Sequence, residues 1–365
     1  MRTGHHKPRM PRAIRGTAAA LMLAAVVLLT GCDRPQVYQE RFFAFGTLVE
    51  LNVYTRDKAL AREAADAVQA DLERMHRDWH AWEPGPLQEV NAALARGETI
   101  QADPAVLGPI LEARALSLRT DGLFNPAMGR LFALWGFQSD TASGPPPPRE
   151  AVQGLLARAP DMADLHVEDG RISSQNPSLR LDLGAFAKGY GVHRAVDHLR
   201  SLGIENAILN AGGDLRAIGR PGDRPWRIGI RDPDGQGVLA GIEIRGDEAV
   251  FTSGDYERYF THEGVRYHHI LDPRTGYPAR DTRSVTVIHP DAGLADAAST
   301  ALFIAGPKEW PRIAARLGVD KVLLMDTQGV AHMTPAMVGR VDFRSEPDEQ
   351  RIRALPAEIT DPAAE

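Results

Sequence analysis

The sequence predicts an α+β fold of mixed and antiparallel sheets with packed helices. Two observations carry this. Most connections in the second half are hairpin-length, and helical patterns come in blocks rather than after every strand, which disfavours a doubly wound parallel sheet. A chain of 365 residues, 43% hydrophobic and 25% charged, can bury a large core in one domain or two. No internal repeat is visible.

In chain order, residues 1–31 read as a leader. Arg2, Lys7, Arg9, Arg12 and Arg15 form a positive segment without acids, and residues 18–29 are an apolar run too short for a membrane span but right for a signal peptide. The run ends in Leu29-Thr30-Gly31-Cys32, which resembles a bacterial lipobox and contains the chain's only cysteine. The expectation is a lipoprotein: leader removed, Cys32 lipidated, residues 32–40 a tether, and acyl chains supplying the membrane contact. Asp33 resembles an inner-membrane retention signal, which directs the expectation to the inner membrane, facing the periplasm. One cysteine allows no disulfide within the monomer. Losing the leader moves the net charge from −6 to −11, and an acidic protein without a basic block is a poor nucleic-acid binder.

Residues 39–54 alternate Phe43, Phe45, Thr47, Val49, Leu51 and Val53 and read as one long strand. Residues 57–80 read as a helix, with Leu60, Ala64, Ala67, Val68, Leu72, Met75 and Trp79 on one face. Residues 82–86 read as a loop, and Asp103-Pro104 starts a further helix to about Arg119. Residues 139–149 hold four consecutive prolines and read as a solvated insertion. Residues 164–174 read as a hairpin turning at Asp169-Gly170.

An alternating strand through Leu179, Leu181 and Leu183 then runs into a glycine loop and a helix bearing Val192, Val196, Leu199 and Leu202, with a stop at Gly203. Strand, glycine turn and helix aim free N–H groups at an anion, with Asp182 and Lys188 flanking the turn. The segment matches neither G-x-x-x-x-G-K-[ST] nor G-x-G-x-x-G, which sets the stock nucleotide motifs aside. Strands follow at 207–210, 226–231, 238–244 and 249–252. A hairpin covers 259–270, a strand 284–289, helices 291–304 and 310–317, and a last hairpin 322–333. The folded domain is expected over 41–342, with residues 343–365 a loose polar tail.

Several segments carry chemistry. Asp296 and Thr300 stand one helical turn apart among Ala295, Ala297, Ala298 and Ser299, so both oxygens share one face. They are hard donors suited to Mg²⁺; alone, they read more simply as a dipole-stabilising Asp and a Thr bonded to its own backbone. No His/Cys cluster has zinc spacing. Gly212-Gly213-Asp214 permits close backbone approach to a ligand or is a bare turn. Residues 252–259 are dense in hydrogen-bonding groups. His269 ends a strand leading into Asp272-Pro273-Arg274-Thr275-Gly276, where Arg274 reads equally as an ion-pair partner.

Together these segments resemble one family. Asp-x-Gly-Ala-x-Ala-Lys-Gly-Tyr at 182–190, Gly-Gly-Asp at 212–214, Thr-Ser-Gly-Asp-Tyr-Glu-Arg at 252–258, His-Ile-Leu-Asp-Pro-Arg-Thr-Gly at 269–276 and Asp-Ala-Ala-Ser-Thr at 296–300 occur in order. With Phe45-Gly46-Thr47, Thr120-Asp121-Gly122 and Leu134-Trp135-Gly136, the resemblance to the FAD:protein FMN transferase (ApbE) family runs from about Phe42 to Val330. It implies an ApbE-like, T-fold-related architecture. It also implies an Mg²⁺-dependent enzyme that splits FAD at its pyrophosphate, attaches FMN to a Thr or Ser of a target flavoprotein by a phosphoester and releases AMP. The implied targets are subunits of Nqr- and Rnf-type redox complexes.

By the same resemblance, Asp182 and Lys188 match FAD-contacting positions. Ala185 offers its carbonyl to the metal, with Asp296 and Thr300 as the other ligands. His269 is the catalytically important histidine and first choice to take the incoming hydroxyl's proton, Asp255 the second, with Ile270 a flavin neighbour. Lys188 adds a charge beside the pyrophosphate. Phe45 stands where Met is usual, Trp82 in an aromatic loop position, and Leu123, Phe124 and Asn125 in a cofactor-lining segment, Asn125 where Asp is common. The loop after Trp82 reads Glu-Pro-Gly-Pro-Leu and lacks the family's Ser-Glu pair. Gly212, Gly213, Asp214 and Arg274 complete the expected FAD site. Two rival readings are an Mg²⁺-dependent FAD pyrophosphatase and a lipid-anchored flavin-binding protein without catalysis.

Overall fold

The structure, a computed structural model, describes residues 35–139, 142–235 and 237–357. The leader, Cys32, Asp33, residues 140–141 of the proline-rich stretch and the last eight residues of the tail lie outside the described residues.

The chain opens with a hairpin, β1 (Gln36–Ala44) and β2 (Thr47–Thr55), where the alternation reads as a single strand. Phe45 and Gly46 both take positive φ, 50° and 69°, and the strands pair antiparallel from Gln36/Thr55 to Ala44/Thr47. A two-residue turn keeps the period of two in phase, so alternation does not reveal the reversal. Helix α1 (Lys58–Asp78) follows as expected, with the Asp57 carboxylate accepting from the N–H groups of Ala59 and Leu60, a cap contributing about 1 kcal/mol.

Helix α2 (Pro86–Ala95) is new, because Pro86 reads as loop but sits in the first turn, where its missing N–H costs nothing. Its Leu87, Val90 and Leu94 are buried at helical spacing. Next come β3 (Ile100–Gln101), α3 (Pro104–Arg119), α4 (Gly129–Leu134), α5 (Arg149–Leu156), β4 (Leu165–Glu168) and β5 (Arg171–Ser174); the three strands form a small sheet with the expected hairpin at Asp169-Gly170.

The expected strand through 179–183 is absent. Leu179, Leu181 and Leu183 are buried, but their backbone is satisfied by loops and a side chain. Arg180 N–H donates to the Ala127 carbonyl at 3.1 Å, Asp182 N–H to Pro126 at 2.8 Å, and Asn91 brackets Leu181 by bonding both its N–H and its carbonyl. Burial alternates without a ladder. Helix α6 (Ala187–Ser201) follows.

The remaining elements are β6 (Ala207–Ala211), β7 (Asp214–Ile218), β8 (Arg227–Arg231), β9 (Val238–Glu243), β10 (Glu248–Gly254), β11 (Tyr259–His262), β12 (Val265–His268), β13 (Thr282–His289), α7 (Ala292–Leu317), β14 (Val322–Asp326), β15 (Val330–Met333), α8 (Pro335–Val338), β16 (Val341–Phe343) and β17 (Glu349–Ile352). The two helices expected near 291–317 are both present within α7, separated at Gly306, whose backbone is not helical (φ 67°, ψ −178°), just before Pro307. Residues 349–352, expected to be loose, pair parallel with β15. Their side chains are all exposed, so no apolar pattern announces the strand.

A nine-stranded sheet in the order β1-β2-β6-β7-β10-β13-β14-β15-β17 is antiparallel except at β15/β17. Alternate residues feed two cores. Leu209, Phe251, Val287 and Leu324 join the helices, while Ile208, Val250, Ile288 and Leu323 pack under the sheet β16-β9-β8. Central strands therefore read as unbroken apolar runs. Among the described residues no helix is long and apolar enough to cross a membrane.

Candidate active site

The site starts from a close approach of two helices. A Cβ on Gly189 would fall 2.5 Å from the Cβ of Asp296 and closer still to the Ala292 carbonyl, so only glycine lets α6 reach the start of α7. The small side chains of Ala292, Ala295, Ala297 and Ala298 leave the same room on the other side. At this crossing the Asp296 carboxylate accepts from the Gly189 N–H at 2.8 Å. The anion that the helix start attracts is thus the protein's own carboxylate.

This bond has a consequence for Ala185. Because Gly189 donates to Asp296, it does not donate to the carbonyl four residues back, and among the described residues no hydrogen bond ends on that carbonyl. Thr300 lies one turn beyond Asp296, its hydroxyl 3.2 Å from that of Ser253, which also bonds Ser299 at 2.8 Å. Among the described residues no group of three or more His, Cys, Asp or Glu is set to hold a metal. The available set is a carboxylate, a hydroxyl and a free carbonyl, all hard oxygens that fit Mg²⁺.

Electrostatics point the same way. Asp296 is 7% exposed, and burial, with Asp214 nearby, drives its carboxyl far above the usual range despite Lys188. Burial pushes Lys188 down, but the Asp214 and Asp296 carboxylates outweigh it and lift it above the ordinary lysine value. Lys188 ion-pairs with Asp214, whose other oxygen accepts from the Thr252 N–H at 2.7 Å. The lysine thereby ties α6 to β7 and β10. Two buried carboxylates share one ammonium, an imbalance that a bound divalent cation corrects.

These groups face one cleft of about 1010 Å³. Around it the structure gathers Phe45 and Trp82; Leu123, Phe124 and Asn125; Asp182, Ala185 and Lys188; Gly212, Gly213 and Asp214; His269 and Ile270; and Asp296 and Thr300. Phe45 stacks on Trp79 at 6.1 Å and meets His76 edge-on at 5.7 Å, forming an aromatic wall. Asn125 is occupied locally, donating to the Pro160 carbonyl and accepting from the Ala127 N–H.

His269 lines the cleft. Its Nδ1 lies 3.2 Å from the Arg258 carbonyl, so Nδ1 carries the proton and Nε2 keeps its lone pair. The surrounding protein, then Arg258 and His268, pull its pKa down to about 3. Its neighbour His268 is buried and held near 4, with Nε2 donating to the Ala279 carbonyl at 2.7 Å. Both imidazoles are neutral in the folded protein and bind a proton more readily when unfolded. Stability is therefore expected to fall as pH drops below about 6.5, the unfolded value. Thermal unfolding from pH 7 to 5 checks this: the double variant His268→Gln/His269→Gln should show the shallower decline, and equal slopes would refute it.

Two expected residues are not in the cleft. Asp255 turns to the reverse side, into a separate pocket of about 190 Å³ with Arg266, His268 and Arg283. Its carboxylate pairs with Arg283 at 3.0 Å, so it cannot serve as the second base. Arg274 clamps its own turn: it is bidentate on Asp272 at 2.9 and 2.8 Å and reaches Glu309 and the Ile304 carbonyl. Ser253 and Glu257, to which the motifs assign no role, also line the cleft.

The profile of the ApbE family matches residues 45–323. A FAD:protein FMN transferase of Rhodobacter capsulatus is 44% identical over 331 residues, covering 89% of this chain; the matched part spans 62% of that longer relative. A FAD:protein FMN transferase of Klebsiella pneumoniae is 32% identical over 82% of this chain and 93% of its own length. Among solved structures, the ApbE protein of Thermotoga maritima superposes with a TM-score of 0.77 at 36% identity, covering 85% of this chain and all (100%) of that one. The apo flavinyl transferase ApbE of Pseudomonas stutzeri gives 0.73 at 27% identity, covering 86% and 98%. With the fold, the motif order and a family match over more than half of the chain in agreement, the chain belongs to the ApbE family.

Proposed function

We propose that this protein is an FAD:protein FMN transferase. It breaks the pyrophosphate of FAD, joins the FMN phosphate to a Thr or Ser hydroxyl of a flavoprotein and releases AMP. The observation that carries the reading is one cleft of dinucleotide size lined by Asp296, Thr300, Lys188 and Ala185, whose carbonyl accepts no hydrogen bond among the described residues. Its relatives' names agree with it.

Asp296, Thr300 and the Ala185 carbonyl would hold Mg²⁺. The ion, when bound, supplies positive charge against the charge that collects on the phosphoryl oxygens. Lys188 adds a fixed point charge beside the pyrophosphate. His269 Nε2 takes the proton of the attacking hydroxyl as the new phosphoester O–P bond forms and the P–O bond to AMP breaks. Phe45, Trp82, Phe124 and Ile270 offer apolar surface to the rings. The reading extends to location: anchored through Cys32 at the periplasmic face of the inner membrane, the enzyme would meet subunits of Nqr- or Rnf-type complexes.

Incubation with FAD, Mg²⁺ and a purified acceptor subunit, followed by mass spectrometry, tests the reaction. The expected result is an FMN adduct on Thr or Ser with AMP released in equal amount. Rapid FMN and AMP without acceptor would make the protein a pyrophosphatase instead. Retained FAD with no AMP would make it a carrier.

A further inference from the structure

We infer that Arg180 is a positioning residue for the flavin-nucleotide site, acting through Trp82, and that Asp182 serves the same unit; the inference rests on the FAD reading above. The guanidinium carbon of Arg180 lies 4.1 Å from the centre of the Trp82 ring. Its Nη2 donates to the Ala81 carbonyl at 2.8 Å. From the other side of the same segment, Asp182 accepts the Trp82 indole N–H at 3.0 Å. The second Asp182 oxygen accepts the Gly184 N–H at 2.8 Å.

Two contacts from residues 180–182 therefore hold the indole, one on its face and one at its N–H, and a third holds the backbone just before it. They do so across about a hundred residues of chain, onto a loop that is otherwise stabilised locally. Within that loop, His80 Nδ1 accepts from the N–H groups of Trp82 and Glu83 at 3.2 and 2.9 Å. Trp82 is half-buried and lines the cleft, whereas Arg180 does not line it. The guanidinium is thus spent on the ring rather than offered to a phosphate. Its Nε is buried without a hydrogen-bond partner, a cost that stacking a desolvated cation on the ring offsets.

This adds a second duty to Asp182, which also lines the cleft. Expected to contact FAD, it already has one oxygen on Trp82 and the other on Gly184. It aligns the indole and the turn that carries Ala185, and so links Trp82 to the end of the cleft proposed to hold the metal. Rotating Trp82 would remove a preformed surface and raise the ordering cost of binding an aromatic ring.

A double-mutant cycle on FAD binding tests this. Arg180→Met should weaken FAD about tenfold, with kcat within about twofold of wild type, and Arg180→Lys should fall between. Trp82→Ala should weaken FAD about 30-fold, and Arg180→Met/Trp82→Ala no further, whereas independent roles would multiply to about 300-fold. A readout without flavin runs in parallel. The acrylamide quenching of Trp82, isolated by subtracting the Trp82→Ala background, should at least roughly double in Arg180→Met as the indole swings into solvent. Unchanged FAD affinity in Arg180→Met, multiplicative losses, or unchanged quenching each overturn the inference. If Arg180→Met does not fold, Arg180→Lys carries the same comparison. Wild-type protein that binds no FAD would sink the transferase reading instead, and the quenching would still decide the role of Arg180.

Discussion

Asp296→Ala should lower FMN transfer at saturating Mg²⁺ by about a thousandfold or more while leaving the fold intact. The first half follows from charge. Asp296 is the only carboxylate in the proposed oxygen set, and loss of a metal's neutralising charge removes several kcal/mol from phosphoryl-transfer catalysis; about 4 kcal/mol corresponds to a factor of a thousand. The second half follows from burial. The carboxylate sits almost fully desolvated beside Asp214, so removing it relieves a penalty as well as costing the bond to the Gly189 N–H. These effects oppose one another, and net stability should change by no more than about 1 kcal/mol. Turnover by acceptor flavinylation and stability by thermal unfolding separate the two. Unchanged turnover would remove Asp296 from the metal site. A collapsed fold would mean that its bond to Gly189 outweighs the relief of desolvation.

That pairing also shows what the sequence made legible. Asp296 and Thr300 stand at helical spacing, so their shared face was readable, but the partner that frees the Ala185 carbonyl lies 107 residues upstream at Gly189. Local pattern carries no information on which two helices cross. The helices 57–80 and 104–119 and the hairpins at Gly170, Gly264 and Gly329 were readable because their signals are local: caps, apolar spacing and turn residues. Two of the misreadings share one cause. Alternation reports which residues are buried, not what their backbone bonds to, so residues 179–183 looked like a strand and residues 39–54 like one strand rather than two.

Asp255 and Arg274 failed for a related reason. Each sits within a motif that reaches the cleft, beside Gly254 and Pro273, which line it. Membership of the motif did not say which way a side chain turns. Asp255 goes to Arg283 on β13, a pairing that only the folded chain brings close, whereas Arg274 closes on Asp272 two residues back in its own turn. The edge strand β17 was silent because its exposed polar side chains contribute nothing to a core; only main-chain bonds to β15 define it.

Gly189→Ala should be strongly damaging, because the new methyl group has no room. The new Cβ has the Asp296 Cβ at 2.5 Å and the Ala292 backbone nearer still. Neither is the flexible end of a side chain, so the helices α6 and α7 must separate. Overpacking of this kind costs about 3 kcal/mol, more than the roughly 1 kcal/mol that alanine gains over glycine inside a helix. Separation would also pull the Gly189 N–H off Asp296, returning it to the Ala185 carbonyl and closing the lone pairs proposed for the metal. Stability and Mg²⁺ affinity should therefore fall together, unlike in Asp296→Ala, where affinity falls alone. Gly154→Ala is the control. It lies within α5 with no atom within 4 Å of the added Cβ, so it should leave stability unchanged or raise it by up to about 1 kcal/mol. Calorimetric unfolding and Mg²⁺ titration of the two variants decide the matter. If Gly189→Ala behaves like Gly154→Ala in both, α6 and α7 do not meet closely enough for the glycine to organise the site.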